Sequence, residues 1–195
     1  MTFRHELLRK TIHAGSAVCP LIYGLLGKEG SLWIAIPITI AFIIIDVLRR
    51  QSGPVQRLYG RLFGAVTRRH EARHFCGATY VMIAVVLCIV LFPRPVAIAS
   101  MLFLSISDAV ASLVGLTIGR PRWSDKSAAG SAAFLVTAVL IALLCLPDAK
   151  ALGVIGAIAA TVVEALPIRV GPLRLDDNLT VPLAGGVVMT LLLQA

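Results

Sequence analysis

Asp108 stands inside a long apolar run, Val96–Ile118, where a lone carboxylate is costly to keep. Ser105, Asp108, Ser112, Gly115 and Gly119 recur at spacings of three and four, which predicts one small, polar helix face carrying a single acid. Close packing of small residues accounts for the serines and glycines but leaves Asp108 for chemistry. The stripe runs into Gly119-Arg120-Pro121-Arg122-Trp123-Ser124-Asp125-Lys126-Ser127, followed by Gly130 and Ser131. Cations, glycines, hydroxyls and a fresh helix start in one place suit a phosphate group. Backbone N–H groups and the positive dipole end face the anion, and Lys or Arg supply charge. The segment is not a Walker A loop, which needs G-x-x-x-x-G-K-[ST]. Further along, Thr161 and Glu164 share a face near the end of another apolar run. Asp176-Asp177-Asn178-Leu179-Thr180 opens the last one. One of those aspartates can cap the helix that follows. The other is left over, and hard oxygen ligands beside a phosphate site are what Mg²⁺ requires.

The elements that position these groups follow from composition. Of 195 residues, 58% are hydrophobic and 14% charged, where a soluble domain carries roughly 25% charge. Mean hydropathy is +0.90. A soluble globule of this size is excluded, as are collagen-like, disordered and disulfide-scaffold chains. The expectation is an all-α, polytopic transmembrane bundle forming a single domain over 1–195. Seven spans are predicted, with six as the fallback: Ala14–Gly27, Leu32–Leu48, Cys76–Phe92, Val96–Ile118, Ala129–Leu146, Ala151–Leu166 and Leu179–Leu193. The first is short, and no signal peptide is expected. With seven spans, fifteen of the eighteen Lys and Arg fall on one side; only Lys28, Arg94 and Lys150 fall on the other. That asymmetry puts the N-terminus and the larger loops in the cytoplasm. The arginines between Gln51 and Arg73 suit topology and anionic headgroups.

The inventory is then cations for a polyphosphate, carboxylates for Mg²⁺ and one spare carboxylate, all toward one membrane face. Phosphoryl transfer asks for these parts, because its catalysis is mostly positioning and charge stabilisation. His70-Glu71-Ala72-Arg73-His74 matches the H-E-x-x-H zinc motif, but arginines flank and interrupt it and no third ligand is near, so no protease is expected. The four cysteines lack C-x-x-C spacing and read as small buried hydrophobes.

Asp108-Ala-Val-Ala-Ser-Leu-Val-Gly115, Gly119-Arg120, Lys126-Ser127-Ala-Ala-Gly130-Ser131, Glu164 and Asp177-Asn178-Leu-Thr180-Val-Pro-Leu183 together resemble the CTP-dependent polyprenol kinase family. That family includes dolichol, phytol and farnesol kinases and the fungal CTP-dependent diacylglycerol kinase. Arg9-Lys10-Thr11-Ile12-His13 is similar to its R-K-x-x-H. Asp46 with Arg49, and Glu71 with Gly77 and Tyr80, match further landmarks, which explains Glu71 without zinc. Ala129 departs from the pattern, standing where the family has an acid. The resemblance implies transfer of the γ-phosphate of CTP to a lipid alcohol with Mg²⁺, and no nucleic-acid partner. It implies Asp108 as metal ligand or general base, and Asp177 on Mg²⁺, aided by Asn178 and Asp176. Glu164 would be a supporting residue or the alternative base. Arg120, Lys126, Ser127, Gly130 and Ser131 would cradle phosphates, with Ser112, Gly115, Gly119 and Thr180 in the same site. Arg9, Lys10 and His13 would bind phosphate or headgroup at the same mouth. A CTP:phosphatidate cytidylyltransferase is the nearest rival, although its usual H-G-G and D-R-x-D signatures are missing. A transporter using Asp108 and Glu164 as a proton relay is a third reading.

Overall fold

The computed structural model describes residues 3–64, 75–118, 122–123, 126–166, 169–170 and 173–194. Proline and capping residues set most helix boundaries. Helix α1 (Phe3–Gly15) leads into α2 (Val18–Gln51). Within α2, Gly27 has φ 70°, a left-handed conformation that costs glycine little, and the helix kinks there. Ser52 closes α2 and opens α3 (Gly53–Phe63), whose first turn holds Pro54. Helix α4 (Gly77–Leu91) ends before Pro93, which caps α5 (Arg94–Leu102). A π-helical turn, Phe103–Ser107, joins α5 to α6 (Asp108–Thr117). Helix α7 (Ala128–Cys145) begins with Ser127 Oγ accepting the Gly130 N–H at 3.1 Å, and α8 (Lys150–Ala165) and α9 (Asp177–Gln194) complete the bundle.

Two short hairpins stand where only loops were expected. Strand β1 (Arg122–Trp123) pairs antiparallel with β2 (Lys126–Ser127), and β3 (Arg169–Val170) with β4 (Leu173–Arg174). The first hairpin delivers Lys126 directly to the start of α7.

The expected spans map onto these helices. Ala14–Gly27 and Leu32–Leu48 correspond to two helical segments parted by the non-helical Gly27, where the expected first span ends, although that span begins in the last turn of α1. Leu8–Gln51, Arg94–Thr117 and Ala128–Cys145 are long and apolar enough to cross a membrane. Helix α4 is apolar but shorter. At 1.5 Å per residue its 15 residues reach about 23 Å, less than a hydrocarbon core of about 30 Å.

Between helices the bundle is packed through small residues. A Cβ on Gly186 would enter the Phe92 ring, one on Gly156 would meet Met189, and one on Gly185 would stand 3.2 Å from Phe103. Phe103, Phe134, Ile89 and Met189 fill the centre. Large apolar side chains such as Leu25, Trp33, Leu140 and Leu144 face outward, the inverse of a soluble surface.

Candidate active site

Four helices and one hairpin strand bring charged residues to one place. Lys10 of α1 forms an ion pair with Asp108, the first residue of α6. His13, one turn along α1, holds Nε2 3.5 Å from the same carboxylate oxygen and 2.9 Å from the Leu104 carbonyl. The π turn makes that second contact possible. The Asp108 N–H reaches back five residues to Phe103, so Leu104 lacks its α-helical donor and His13 supplies one. A carbonyl only accepts, so the proton of the neutral ring sits on Nε2.

Beside this pair lies a second cluster. Lys126 Nζ stands 2.7 Å from Glu164 Oε1 on α8 and 2.9 Å from Asp177 Oδ2 on α9. Ser131 Oγ, one turn into α7, donates to the other Glu164 oxygen at 3.0 Å. Helices α6 and α7 approach closely enough for this because Gly115 and Gly130 face each other. A Cβ on Gly130 would meet the Ala111 carbonyl at 2.8 Å and Ser127 Oγ at 3.1 Å. The clusters share one field. Burial alone lowers the Lys126 pKa, but Asp177, Asp108 and Glu164 outweigh it and hold the ammonium above the ordinary lysine value.

Exposure divides the three carboxylates. Glu164 and Asp108 are nearly closed off, with side-chain exposures of 4% and 11%, while Asp177 keeps 28%. Asp176 is the helix cap: its Oδ1 accepts the Asn178 N–H at 2.9 Å, and its carbonyl takes the N–H groups of Leu179 and Thr180. Capping uses one aspartate and leaves Asp177 for Lys126. Thr180 Oγ1 turns back to the Asp176 carbonyl at 3.3 Å, and Asn178 Nδ2 lies 3.4 Å from the Gly77 carbonyl.

Of the residues singled out in the sequence, Lys10, His13, Asp108, Lys126, Ser131, Glu164 and Asp177 are therefore in one connected site. Ser127 and Gly130 are engaged in the start of α7. Arg9 and Ser112 are half-buried on the same helices as Lys10 and Asp108. The Ser105 hydroxyl donates to the Met101 carbonyl one turn back. Gly119 and Arg120 lie outside the described residues, as do His70, Glu71 and His74 of the zinc-like motif.

Asp46 is a buried acid in an apolar run that deserved the same weight as Asp108. It pairs with Arg49 and accepts from the Cys76 N–H at 2.8 Å and from Thr79 Oγ1. It thereby ties the end of α2 to the start of α4, one residue from the Gly77 carbonyl that Asn178 approaches.

No protein-family model matches the chain, and no solved structure matches it. Curated relatives do. A CTP-dependent diacylglycerol kinase of Schizosaccharomyces pombe is 30% identical over 97% of this chain and 94% of its own length. An uncharacterised Rickettsia prowazekii protein, RP860, is 30% identical over 93% of this chain and 92% of its own. A probable chloroplastic phytol kinase of Triticum aestivum is 33% identical over 67% of this chain and 49% of its own. A match at this identity across nearly both whole lengths, to an enzyme named for CTP-dependent phosphorylation of a lipid, joins the motifs around Asp108, Lys126 and Asp177. The chain belongs to the CTP-dependent polyprenol kinase family.

Proposed function

We propose that the protein is an integral-membrane lipid kinase that moves the γ-phosphate of CTP to the hydroxyl of a lipid alcohol at the cytoplasmic face. The acceptor class is diacylglycerol or an isoprenoid alcohol, as the names of the relatives suggest. One observation carries the reading. Lys126, held between Glu164 and Asp177, stands in the same electrostatic field as the Asp108–Lys10 pair. The site thus gathers phosphate-binding cations and carboxylates where apolar helices give a lipid access. The excess of Lys and Arg on the loops that share this end supports the cytoplasmic orientation, and seven crossings remain the topology that best explains it.

In this mechanism the lipid hydroxyl attacks the γ-phosphorus as its proton passes to Asp108. The γ-phosphorus to bridging-oxygen bond breaks, and CDP leaves. Lys10 stabilises the Asp108 carboxylate before transfer. Glu164 has both oxygens engaged, by Lys126 and Ser131, so it positions Lys126 instead of serving as the base. An ammonium has three donors; among the described residues Lys126 directs two at Glu164 and Asp177, and the reading assigns the third to a phosphate oxygen. Arg9, Arg120 and the first N–H groups of α7 add positive potential for the triphosphate.

Mg²⁺ fits the available donors. Among the described residues no group of three or more His, Cys, Asp or Glu converges on one point. A cation that arrives on a triphosphate needs only one or two carboxylates. Asp177 is the most accessible, and Asp176 adjoins it. When bound there the ion supplies charge neutralisation at the transferring phosphate.

The test is Asp108→Asn in lipid nanodiscs. Turnover is expected to fall about 10²–10⁴-fold, the range for a general base, with protein yield unchanged. Lys10→Met combined with Asp108→Asn removes the stranded cation and is expected to restore normal thermal stability without activity. Substantial activity in either variant contradicts the assignment.

A further inference from the structure

Helix α3 carries an apolar face whose outer residues, Leu58 and Leu62, are more than half exposed. Val55, Leu58, Tyr59 and Leu62 follow at helical spacing and form one stripe, and Arg57 and Arg61 form another beside it. No residue of α3 is buried. Leu58 and Leu62 are 58% and 65% exposed, and Phe63 at the end of the helix is half exposed. Val55 and Tyr59 are half-buried, and the Arg49 guanidinium lies 4.8 Å from the Tyr59 ring centroid.

The connection to α2 is built, not loose. The Ser52 N–H closes α2 on the Leu48 carbonyl, and the Gln56 N–H opens α3 on the Ser52 carbonyl. The last turns of α2 also present exposed apolar residues, Ile44, Ile45 and Leu48. The exposed residues of α3 thus follow, a few residues on in the chain, the exposed end of a helix long enough to cross a membrane.

We propose that α3 lies in the headgroup layer of an anionic bilayer, with Leu58 and Leu62 at the acyl boundary and Arg57 and Arg61 on lipid phosphates. Two features select a membrane surface over a soluble partner. The exposed apolar residues of α3 follow directly on the exposed apolar end of α2, a candidate membrane span, and the charged residues of α3 are all positive. The inference rests on the membrane reading of the chain. Helix α3 also lies at the same end of the bundle as the candidate site. Arg49 stacks on Tyr59 and pairs with Asp46, Asp46 accepts from Cys76, and the adjoining Gly77 carbonyl is approached by Asn178 next to Asp177. Headgroup binding by α3 thus sets the height of the site's mouth against the membrane surface.

The experiment places nitroxide labels on the full chain, with the four native cysteines replaced, at Leu58→Cys, Leu62→Cys, Arg57→Cys and Arg61→Cys. Leu140→Cys, on the outward face of α7, serves as control. Nanodiscs of phosphatidylcholine with phosphatidylglycerol are compared with phosphatidylcholine alone, reading relaxation by oxygen, which partitions into lipid, and by a water-soluble nickel chelate. The expected result is a several-fold higher oxygen-to-nickel ratio at 58 and 62 than at 57 and 61, and a fall in that ratio without phosphatidylglycerol. If Leu140→Cys reads as lipid-immersed while all four α3 positions read as aqueous, the inference is overturned and the membrane reading stands. If Leu140→Cys is itself aqueous, the membrane reading falls and the inference with it. Label-to-label broadening at 58 in both lipids marks contact between two copies and overturns it, as does a depth insensitive to lipid charge.

Discussion

Glu164 is held at both oxygens, and each bond predicts a different kind of loss. Ser131→Ala removes a donor to a buried carboxylate and should cost about 1.5–3 kcal/mol, read as a lower Tm in detergent. Lys126→Met strips the cation from three acids and should cost more, about 3–5 kcal/mol, and abolish turnover as well. The sign of its pH dependence follows from the raised pKa. A cation whose folded pKa exceeds its unfolded value stabilises fully below the unfolded value, about 10.4, and loses that stabilisation as pH rises through the folded one. The Tm gap between wild type and Lys126→Met is therefore expected to stay constant from pH 7 to about 10 and to shrink only above that. Residue identities at this scale were readable in the sequence. An acid in an apolar run is costly enough to flag Asp108, and the same rule applied to Asp46 would have flagged the anchor between α2 and α4. Pairing was not readable, because nothing in local spacing says that Lys126 meets Glu164 38 residues away.

At the scale of elements, the site depends on how closely α6 and α7 approach. Gly130→Ala would push a methyl group against the Ala111 carbonyl. The expected cost is about 1–3 kcal/mol, read as a lower Tm in detergent, together with a loss of activity. Periodicity predicted a continuous stripe from Ser105 to Gly119, and a π turn lies between Ser105 and Asp108 and changes the angular step there. A period of 3.6 cannot foresee that insertion. The twin aspartates before α9 were more legible: capping requires one, and the structure gives that role to Asp176 and leaves Asp177 facing Lys126. The break at Gly27 was legible as the end of the first expected span, and its positive φ is the conformation that makes the kink there.

For the molecule as a whole, composition already required apolar helices, and the outward-facing Leu25, Trp33 and Leu144 agree. The scarce charges are divided between ion pairs inside the bundle and the basic loops outside it. That division is what a kinase joining a soluble nucleotide to a membrane lipid needs, and it is where the rival readings part. A cytidylyltransferase would transfer the nucleotidyl group and release pyrophosphate; a transporter would transfer nothing. The most direct measurement gives purified protein in nanodiscs CTP labelled at either the γ or the α phosphate, with Mg²⁺ and a panel of diacylglycerol and isoprenoid alcohols. The account predicts label in the lipid from γ-labelled CTP alone, with CDP as the other product; label carried from the α position, or no lipid labelled at all, would contradict it.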